Sequence, residues 1–380
     1  MVDIVCISHL RWDWVWQRPQ HILSRLAKEN RILYVEEPVT RTGETRPYLE
    51  RVPEQNTPYL TALRLVLPAE MDRWLGHGEG ETPKVYEELL LDYLKQENFL
   101  NPVLWLYTPM ALHFVDVLPH SLLVYDVMDE LSAFAGAPSG LIEREKELLR
   151  RADVVFTGGA SLYRAKLPYN EHTYLFPSGV ETEHFARASE PEAFPPPPDI
   201  AGLSHPLLGY YGVIDERMDF KLLAAVAEAR PDWTFLMIGP LAKISKTDLP
   251  EAANMHFTGQ KNYEELPAYL HHFDVALVPF ALSETTRFLS PTKTLEYIAA
   301  HKPVVSTPLN DVIELYGSVV RIAKTPQEFI EKVEEAMTED PEARRAAEDK
   351  LLSKQTWDKI ASSMNEIITA QLLDKANSSE

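Results

Sequence analysis

A short segment in the last third of the chain combines side chains that could bind a phosphorylated ligand. It covers residues 290–296 and reads Ser-Pro-Thr-Lys-Thr-Leu-Glu. Pro291 favours the first turn of a helix, and the start of a helix presents free N–H groups and a positive dipole end to an anion. We expect Thr292 and Lys293 to contact a diphosphate there. The Glu296 carboxylate, about one turn further on, could accept two adjacent ribose hydroxyls.

Helices and strands alternate around this segment and through the whole chain. Apolar residues at helical spacing are followed by the short run 304–306, which is typical of a buried strand. Such alternation predicts an α/β fold with parallel sheets whose two faces are covered. Four consecutive prolines within residues 191–205 predict a stiff, extended linker. We therefore expect one domain over residues 1–190, a second over residues 206–354 and a final helix within residues 355–380.

Composition limits the classes of protein to which the chain can belong. The 380 residues carry a formal net charge of −20, which argues against a nucleic-acid partner because phosphate neutralisation needs clustered Lys and Arg. It also argues against general adhesion to anionic lipid, although a local basic patch could still make peripheral membrane contact. The single cysteine excludes a disulfide framework, and no apolar run is long enough to span a bilayer. Because no leader-like segment opens the chain, we expect a cytoplasmic protein.

Two acidic residues follow a predicted strand in the first half of the chain. The strand covers residues 121–126, and Asp126 and Asp129 lie at its carboxyl end. Ligands of open parallel sheets bind beyond the carboxyl ends of the strands, so either carboxylate could accept a proton from a substrate hydroxyl. The alternative is that each aspartate only caps the segment that follows it.

A long aromatic and cationic loop follows the first predicted strand. Tryptophans alternate at positions 12, 14 and 16, and Arg18 stands near the start of a predicted helix. Trp14 could stack on a sugar or an apolar lipid, and Arg18 could pair with a phosphate. Alternatively, the tryptophans only pin the loop to the body of the domain, since tryptophan is mostly buried wherever it occurs.

Three motifs resemble those of nucleotide-sugar glycosyltransferases of the group 1, retaining type. Residues 290–307 resemble the donor-site segment of that family. In the family, a helix bearing a glutamate precedes a small-x-Pro-Val-Val-x-Thr strand, and the matching glutamate here is Glu296. Ala-Asp-Val-Val at residues 152–155 and Ser-Gly-Val-Glu at residues 178–181 resemble two further family segments, the second with Ser and Glu replacing Asn and Asp. The family usually carries another Glu eight residues before the helical one, and here that position is Phe288.

The resemblance implies a GT-B fold, in which two Rossmann-like domains face each other across a cleft and a final helix crosses back to the first domain. It also implies metal-independent transfer of a sugar, with retention, from a nucleotide-diphosphate sugar to a hydroxyl of a glycan, lipid-linked or small-molecule acceptor. Arg217 resembles the family's diphosphate-binding arginine, and Lys221 resembles the lysine that accompanies it. As an alternative, Arg217 is only a solvated loop charge. The twelve histidines are scattered, and we expect no metal and no cofactor beyond the donor.

Other functional classes stay open. A sugar-nucleotide epimerase shares the two-domain fold but needs no acceptor surface, and the tryptophan-rich loop favours a transferase. A catalytically inactive protein that binds a sugar nucleotide or a glycan is suggested by Phe288 in place of a glutamate. A nicotinamide-dependent dehydrogenase is disfavoured because no Gly-x-Gly-x-x-Gly follows the first strand of either domain. In a transferase, Asp126 or Asp129 would be catalytic. Trp14 and Arg18 would bind the acceptor.

Overall fold

The chain divides into two compact units. The first contains Met1–Phe176 and Trp357–Glu380, and the second contains Pro177–Thr356. In the computed structural model, the described residues are 1–13, 16–53, 57, 59–71, 81–133, 137–138, 140–190 and 194–378. Each unit has its own sheet and its own hydrophobic core.

The described residues of the first unit form a sheet of nine strands. The strands are β1 (Asp3–Ile7), β2 (Arg31–Val35), β3 (Val39–Arg41), β4 (Tyr48–Val52), β5 (Leu60–Pro68), β6 (Val103–Leu106), β7 (Leu122–Val127), β8 (Val154–Thr157) and β9 (Thr173–Leu175), and the helices between them are α1 (Arg18–Leu26), α2 (Glu81–Gln96), α3 (Phe114–Val117), α4 (Leu141–Arg151) and α5 (Ala160–Lys166). Their spatial order is β3-β5-β2-β1-β6-β7-β8-β9, with β4 also paired to β5. Every pairing is parallel except that of β4 with β5. Nearly all strands therefore end at the same edge of the sheet.

Strand β1 is the centre of this sheet. Ile4, Val5 and Ile7 are completely buried, as expected for a parallel strand that is covered on both faces. The chain leaves β1 towards β2 on one side and later returns to β6 on the other. The boundary between β1 and β6 is therefore the switch point of the first sheet, the place where ligands of such folds bind.

The second unit contains a six-stranded sheet among its described residues. The strands are β10 (Leu207–Tyr211), β11 (Thr234–Ile238), β12 (Met255–Gly259), β13 (Val275–Val278), β14 (Val304–Ser306) and β15 (Val320–Ile322), and the helices are α6 (Thr182–Ala186), α7 (Phe220–Ala229), α8 (Leu266–His271), α9 (Lys293–Ala299), α10 (Asn310–Tyr316), α11 (Pro326–Thr338) and α12 (Pro341–Leu352). The spatial order is β12-β11-β10-β13-β14-β15, and the pairings are parallel. The switch point of this sheet lies between β10 and β13.

The last helix, α13 (Trp357–Ser378), belongs to the first unit. Trp357 stacks on His21 of α1, with ring centroids 4.6 Å apart and planes 6° apart, and Met364 and Ile368 enter the core of that unit. Full burial of a side chain of this size contributes about 1.5–3 kcal/mol, so α13 completes the first core. Neither α13 nor any other helix of the described residues is long and apolar enough to cross a membrane.

The second unit begins earlier in the chain than the proline-rich segment. Val180, Phe185 and Ala188 belong to its core, and the Val180 N–H donates to the Gln355 carbonyl at 3.0 Å. The sequence prediction assigns this stretch to the first domain, because the four prolines mark the clearest break in composition. Packing instead puts the division directly after Phe176.

Candidate functional site

The first group of candidate residues lies at the carboxyl ends of β10 and β13, at the switch point of the second sheet. The chain passes from β10 into Gly212, and from β13 through a long loop into α9, which begins at Lys293. Gly212 has a φ of +137°, a conformation that favours glycine. A Cβ placed on it would lie 2.7 Å from Lys293 Cε. Glycine is therefore needed here because the lysine side chain lies across the end of β10.

Lys293 is half-buried and places its ammonium near two aromatic rings. Its Nζ lies 5.5 Å from the centroid of the Tyr210 ring and 5.4 Å from that of Phe280. Each such contact contributes roughly 0.5–1 kcal/mol. Burial lowers the pKa of Lys293 to about 8; the Glu296 carboxylate opposes this shift, and the Arg217 guanidinium adds to it. A bound anion would stabilise a cation held in such a place.

Helix α9 is shorter than the sequence predicts. The pattern indicates a helix from Pro291, whereas α9 starts at Lys293 and has seven residues. Thr292 stands at the N-cap, is exposed, and makes no capping hydrogen bond through its side chain. The helix dipole is a sum over aligned peptide units. A helix of this length therefore contributes little, and side-chain cations supply most of the positive charge.

Arg217 lies close enough to Lys293 to lower the pKa of that lysine. Its guanidinium donates twice to Asp215. Nε lies 3.0 Å and Nη2 lies 2.7 Å from the same carboxylate oxygen, Oδ2. The Ala281 N–H donates to the Arg217 carbonyl at 2.8 Å, which ties the loop after β10 to the loop after β13. Lys221 is exposed on the first turn of α7, and no contact among the described residues joins it to this group. The structure thus brings Arg217 to the site, and the role of Lys221 stays a prediction.

Glu296 lies half-buried on the first turn of α9. Burial raises the pKa of its carboxyl, whereas the Tyr211 hydroxyl and the Lys293 charge lower it. The Tyr211 N–H donates to the Tyr297 hydroxyl at 3.0 Å, which fixes β10 against α9. The Tyr211 hydroxyl itself is buried and makes no hydrogen bond of normal geometry within the described residues. Both it and the carboxylate therefore keep hydrogen-bonding capacity for a ligand.

A cavity of about 780 Å³ lies at the carboxyl ends of β11 and β12, within the range of small-molecule sites. Gly239, which lines it, has a φ of +149°, and a Cβ there would lie 1.8 Å from the Gly212 carbonyl oxygen. The cavity and the Lys293 site therefore meet at this pair of glycines. The lining residues are Asp199, Gly239, Leu241, Lys246, Leu249, Met255, His256, Phe257, Thr258 and Gly259.

The candidate residues of the first unit form a buried ion pair. Arg18 Nε lies 2.9 and 3.1 Å from the two carboxylate oxygens of Asp126, and Arg18 Nη1 donates to the Phe176 carbonyl at 2.7 Å. Asp126 is 0% exposed and Arg18 is 4% exposed. Burial raises the pKa of Asp126, and the Arg18 charge and the Tyr107 hydroxyl oppose that shift. The structure brings the two residues together but away from solvent, and their catalytic and acceptor-binding roles stay predictions.

Asp129 lies half-buried in the bend after β7. Its neighbour Glu130 accepts a hydrogen bond from Lys166 Nζ at 2.7 Å, and the same ammonium donates to Glu145 at 2.7 Å. These pairs hold the segment after β7 against α4 and α5. Asp129 is thus placed on a fixed segment at the carboxyl edge of the first sheet, and its catalytic role stays a prediction.

The tryptophan-rich loop is described only in part. Trp14 lies outside the described residues, and its acceptor-binding role stays a prediction. Trp12 is buried against Tyr34, with ring centroids 4.9 Å apart, so it pins the loop as the alternative interpretation expects. Trp16 is 47% exposed and leaves apolar surface on the loop.

Sequence reasoning missed two residues that shape the second-unit site. Asp215 holds the guanidinium of Arg217. The sequence could have indicated this pair, because side chains two residues apart can reach each other. Tyr211 lies beside Glu296 but carried no signal, because the two positions are far apart in the sequence. As for metals, the part of the chain that the structure describes holds no group of three or more His, Cys, Asp and Glu side chains arranged to bind an ion.

The fold is that of GT-B glycosyltransferases, as comparison with solved structures shows. Sucrose-phosphate synthase from Thermosynechococcus elongatus matches with a TM-score of 0.71 and 15% identity, over 98% of this chain and 100% of that chain. HepE from Anabaena in complex with UDP matches with a TM-score of 0.66 and 12% identity, over 97% of this chain and 100% of that chain. Likeness at this level of identity defines the fold alone, and it confirms the predicted α/β GT-B class.

Sequence comparison shows which family the second unit resembles. Residues 205–339 match the family described as Glycosyl transferases group 1, and this stretch contains Arg217, Lys293 and Glu296. TuaH of Bacillus subtilis (strain 168), named as a glycosyltransferase of teichuronic acid biosynthesis, is 30% identical over 202 residues. That alignment covers 49% of this chain and 50% of the relative, so the chain matches about half of the relative's length. Within its second unit the chain is therefore similar to the group 1 glycosyltransferases, which confirms the resemblance seen in the motifs.

Proposed function

We propose that the protein transfers a sugar from a nucleotide-diphosphate sugar to an acceptor hydroxyl. One observation carries the proposal: two cations, Lys293 and Arg217, converge with the carboxylate of Glu296 at the switch point of a sheet, within the residues that match the family. The adjoining cavity of about 780 Å³ has room for a nucleoside. The three side chains have the charges that a diphosphate and a ribose require.

The main requirement of the reaction is stabilisation of the departing group. The bond between the anomeric carbon and a diphosphate oxygen breaks, and negative charge develops on the diphosphate that leaves. Fixed charges aimed at such a group lower the barrier strongly, and the loss of one donor typically costs about 10²–10³ in turnover. Lys293 and Arg217 would supply this charge, and Asp215 keeps the guanidinium of Arg217 in place.

The donor and acceptor classes are proposed from the similar proteins. One matching structure holds UDP, which supports a uridine-type donor. The curated relative is named for teichuronic acid biosynthesis, which supports a glycan acceptor over a lipid-linked or small-molecule one. We propose retention at the anomeric carbon because the motifs resemble the retaining type of the family.

A thermal-shift panel tests the proposal. We expect UDP, GDP or ADP to raise the melting temperature, and the matching monophosphate to raise it less, because Lys293 and Arg217 act on the diphosphate. A ligand present at about 100 times its Kd stabilises a protein by about 2.7 kcal/mol. Consumption of the matching sugar nucleotide only when a glycan acceptor is added would then separate a transferase from a binding protein. The absence of any nucleotide-dependent shift would contradict the proposal.

Glu296→Gln should weaken binding of the nucleoside diphosphate about tenfold while the melting temperature changes little. The amide lacks the negative charge that strengthens hydrogen bonds from ribose hydroxyls, and such charge-assisted bonds contribute about 1.5–3 kcal/mol, where about 1.4 kcal/mol is a factor of ten. Calorimetric titration measures the change. Glu228→Gln, at an exposed position on α7, is the matched control. An unchanged Kd for Glu296→Gln would remove this residue from the ribose site.

Turnover should survive treatment with EDTA. We assign the charge on the diphosphate to Lys293 and Arg217, which take the place that a divalent cation holds in other phosphate-transfer sites. Initial rates with and without the chelator measure this. If turnover falls in EDTA and recovers with Mg²⁺ or Mn²⁺, the two side chains do not supply enough charge.

A further inference from the structure

A second carboxylate is held in the neighbourhood of Glu296. Glu181 lies at the N-cap of α6, and its Oε2 accepts a hydrogen bond from the Tyr263 hydroxyl at 2.9 Å. His184 stacks on the Tyr263 ring, with centroids 4.5 Å apart and planes 6° apart. Phe185 meets that ring edge-on at 5.6 Å and is itself in the core. These contacts fix the place of the Glu181 side chain.

Helix α6, which Glu181 caps, packs against α9, which carries Glu296, so the two carboxylates lie close enough to influence each other. Burial raises the pKa of Glu296, and the Glu181 charge raises it further; burial, followed by both carboxylates, likewise raises the pKa of the Tyr263 hydroxyl. Two like charges in one site disfavour each other's ionised form. Their approach therefore carries an electrostatic cost, which hydrogen bonds donated by a ligand would offset.

A buried hydroxyl beside Glu296 points to a ligand at the same place. Tyr211 is 4% exposed, and its hydroxyl makes no hydrogen bond of normal geometry among the described residues, although it lies close enough to the Glu296 carboxylate to lower the pKa of that group. It lies near Glu296 and Tyr263, whose groups affect its own pKa. An unsatisfied buried hydroxyl costs about 1–3 kcal/mol in general, and a hydroxyl-bearing ligand would remove the part of that cost which the irregular contact with Glu296 leaves.

The family motif does not supply this second carboxylate. Its usual position is Phe288, which is half-buried with the Arg287 guanidinium 5.4 Å from its ring centroid. Glu284 is 87% exposed and pairs with Arg287 at 3.6 Å. Neither residue brings a carboxylate to α9, whereas Glu181 reaches that helix from a distant part of the chain.

We propose that Glu181 and Glu296 together bind the ribose of the donor, each accepting a hydrogen bond from one of its two vicinal hydroxyls. This inference rests on the proposed function, because the ribose belongs to the nucleotide. Carboxylates act as acceptors only, and hydroxyl-to-carboxylate bonds are short and strong. Tyr263, which holds Glu181, follows β12, and the end of β12 lines the 780 Å³ cavity. Glu181 therefore lies on the side where the nucleoside would be. The Tyr211 hydroxyl then finds a ribose oxygen as its partner.

Calorimetric titration with two probes tests the proposal. The probes are UDP and 2′,3′-dideoxyuridine diphosphate, which lacks both ribose hydroxyls; GDP and its dideoxy analogue replace them if the unchanged protein binds GDP rather than UDP. We expect Glu181→Gln to weaken UDP binding about tenfold and to leave the affinity for the dideoxy probe unchanged. Glu183→Gln, an exposed acid on the same helix, should change neither. Tyr263→Phe keeps the ring that stacks on His184, and should weaken UDP binding while sparing the dideoxy probe.

The possible results separate the inference from the function on which it rests. Equal losses for both probes in Glu181→Gln would show a structural role and overturn the inference. Unchanged UDP affinity in that variant, with a normal melting temperature, would also overturn it. If Glu181→Gln does not fold, Tyr263→Phe decides by the same two-probe comparison. If the unchanged protein binds no nucleoside diphosphate, the proposed function fails and the inference fails with it.

Discussion

Replacing Lys293 by methionine is expected to lower turnover by about 10²–10³ and, at the same time, to raise the melting temperature. Methionine keeps an unbranched apolar stem between the Tyr210 and Phe280 rings but removes the charge opposite the departing diphosphate. The gain in stability follows from the pKa of Lys293, which burial lowers to about 8. A lysine with a lowered pKa is charged at neutral pH at a cost to the folded state.

The gain in stability depends on pH in a defined direction. The unfolded chain has the ordinary lysine pKa of 10.5, and the folded value is about 8. Below pH 8 both states bind the proton, so the full cost of holding the charge is present. Between pH 8 and 10.5 the unfolded state binds more protons, and the unchanged protein becomes more stable as pH rises. The difference between the two proteins should therefore shrink over that window.

Calorimetric scans at about pH 7 and about pH 9.5, together with initial rates, measure both effects. Lys332→Met is the matched control, because Lys332 is half-exposed on α11 and pairs with Glu335 at 2.8 Å. We expect that variant to change stability by less than about 0.5 kcal/mol. A fall in both turnover and melting temperature for Lys293→Met would show that the lysine supports the fold instead of the reaction.

Replacing Asp126 by asparagine is expected to destabilise the first unit by about 3–5 kcal/mol. The change leaves the Arg18 guanidinium buried without its counter-charge, and breaking a buried ion pair has a cost of this size. The Arg18 contacts with Asp126 at 2.9 Å and with the Phe176 carbonyl at 2.7 Å show how firmly the group is enclosed. Calorimetry on the full chain follows the transition of this unit.

Two further variants separate structure from catalysis at this pair. Replacing both partners, Arg18→Met with Asp126→Leu, should recover most of the lost stability, since apolar pairs replace buried ion pairs well. Asp116→Asn breaks a surface pair with Arg151 at 2.6 Å and should cost less than about 1 kcal/mol. If Asp126→Asn instead keeps its melting temperature and loses turnover, the carboxylate is the catalytic base that the sequence suggests.

The sequence predicts which residues come together better for the second-unit site than for the candidate residues of the first unit. Lys293 and Glu296 lie within one continuous segment, so their spacing alone puts them on one short helix beside a buried strand. Arg18 and Asp126 are 108 positions apart. The sequence marks each as a candidate, but only the folded sheet shows that they neutralise each other. For the same reason, a long separation in the sequence, the sequence does not indicate that Glu181 lies near Glu296.

Edge strands were the other feature that local pattern did not reveal. Residues 38–58 hold Pro, Thr and Gly in turn-like clusters, which predict a loop, whereas the structure has β3 and β4 there. Both strands pair with β5. Their hydrogen bonds depend on a neighbour supplied by another part of the chain, and tertiary context of this kind overrides intrinsic strand preference.

The second unit is one continuous stretch of chain, whereas the first is interrupted by it. During synthesis, all of Pro177–Thr356 leaves the ribosome before α13 does, and domains generally fold as units in that order. The packing of helix α1 is completed only after α13 has been synthesised, because the Trp357 ring that covers His21 belongs to α13. The two ends of the inserted stretch meet where Val180 pairs with Thr356. Residues 177–356 should therefore be expressible as an autonomous fragment, while a chain cut before Trp357 leaves the first core open.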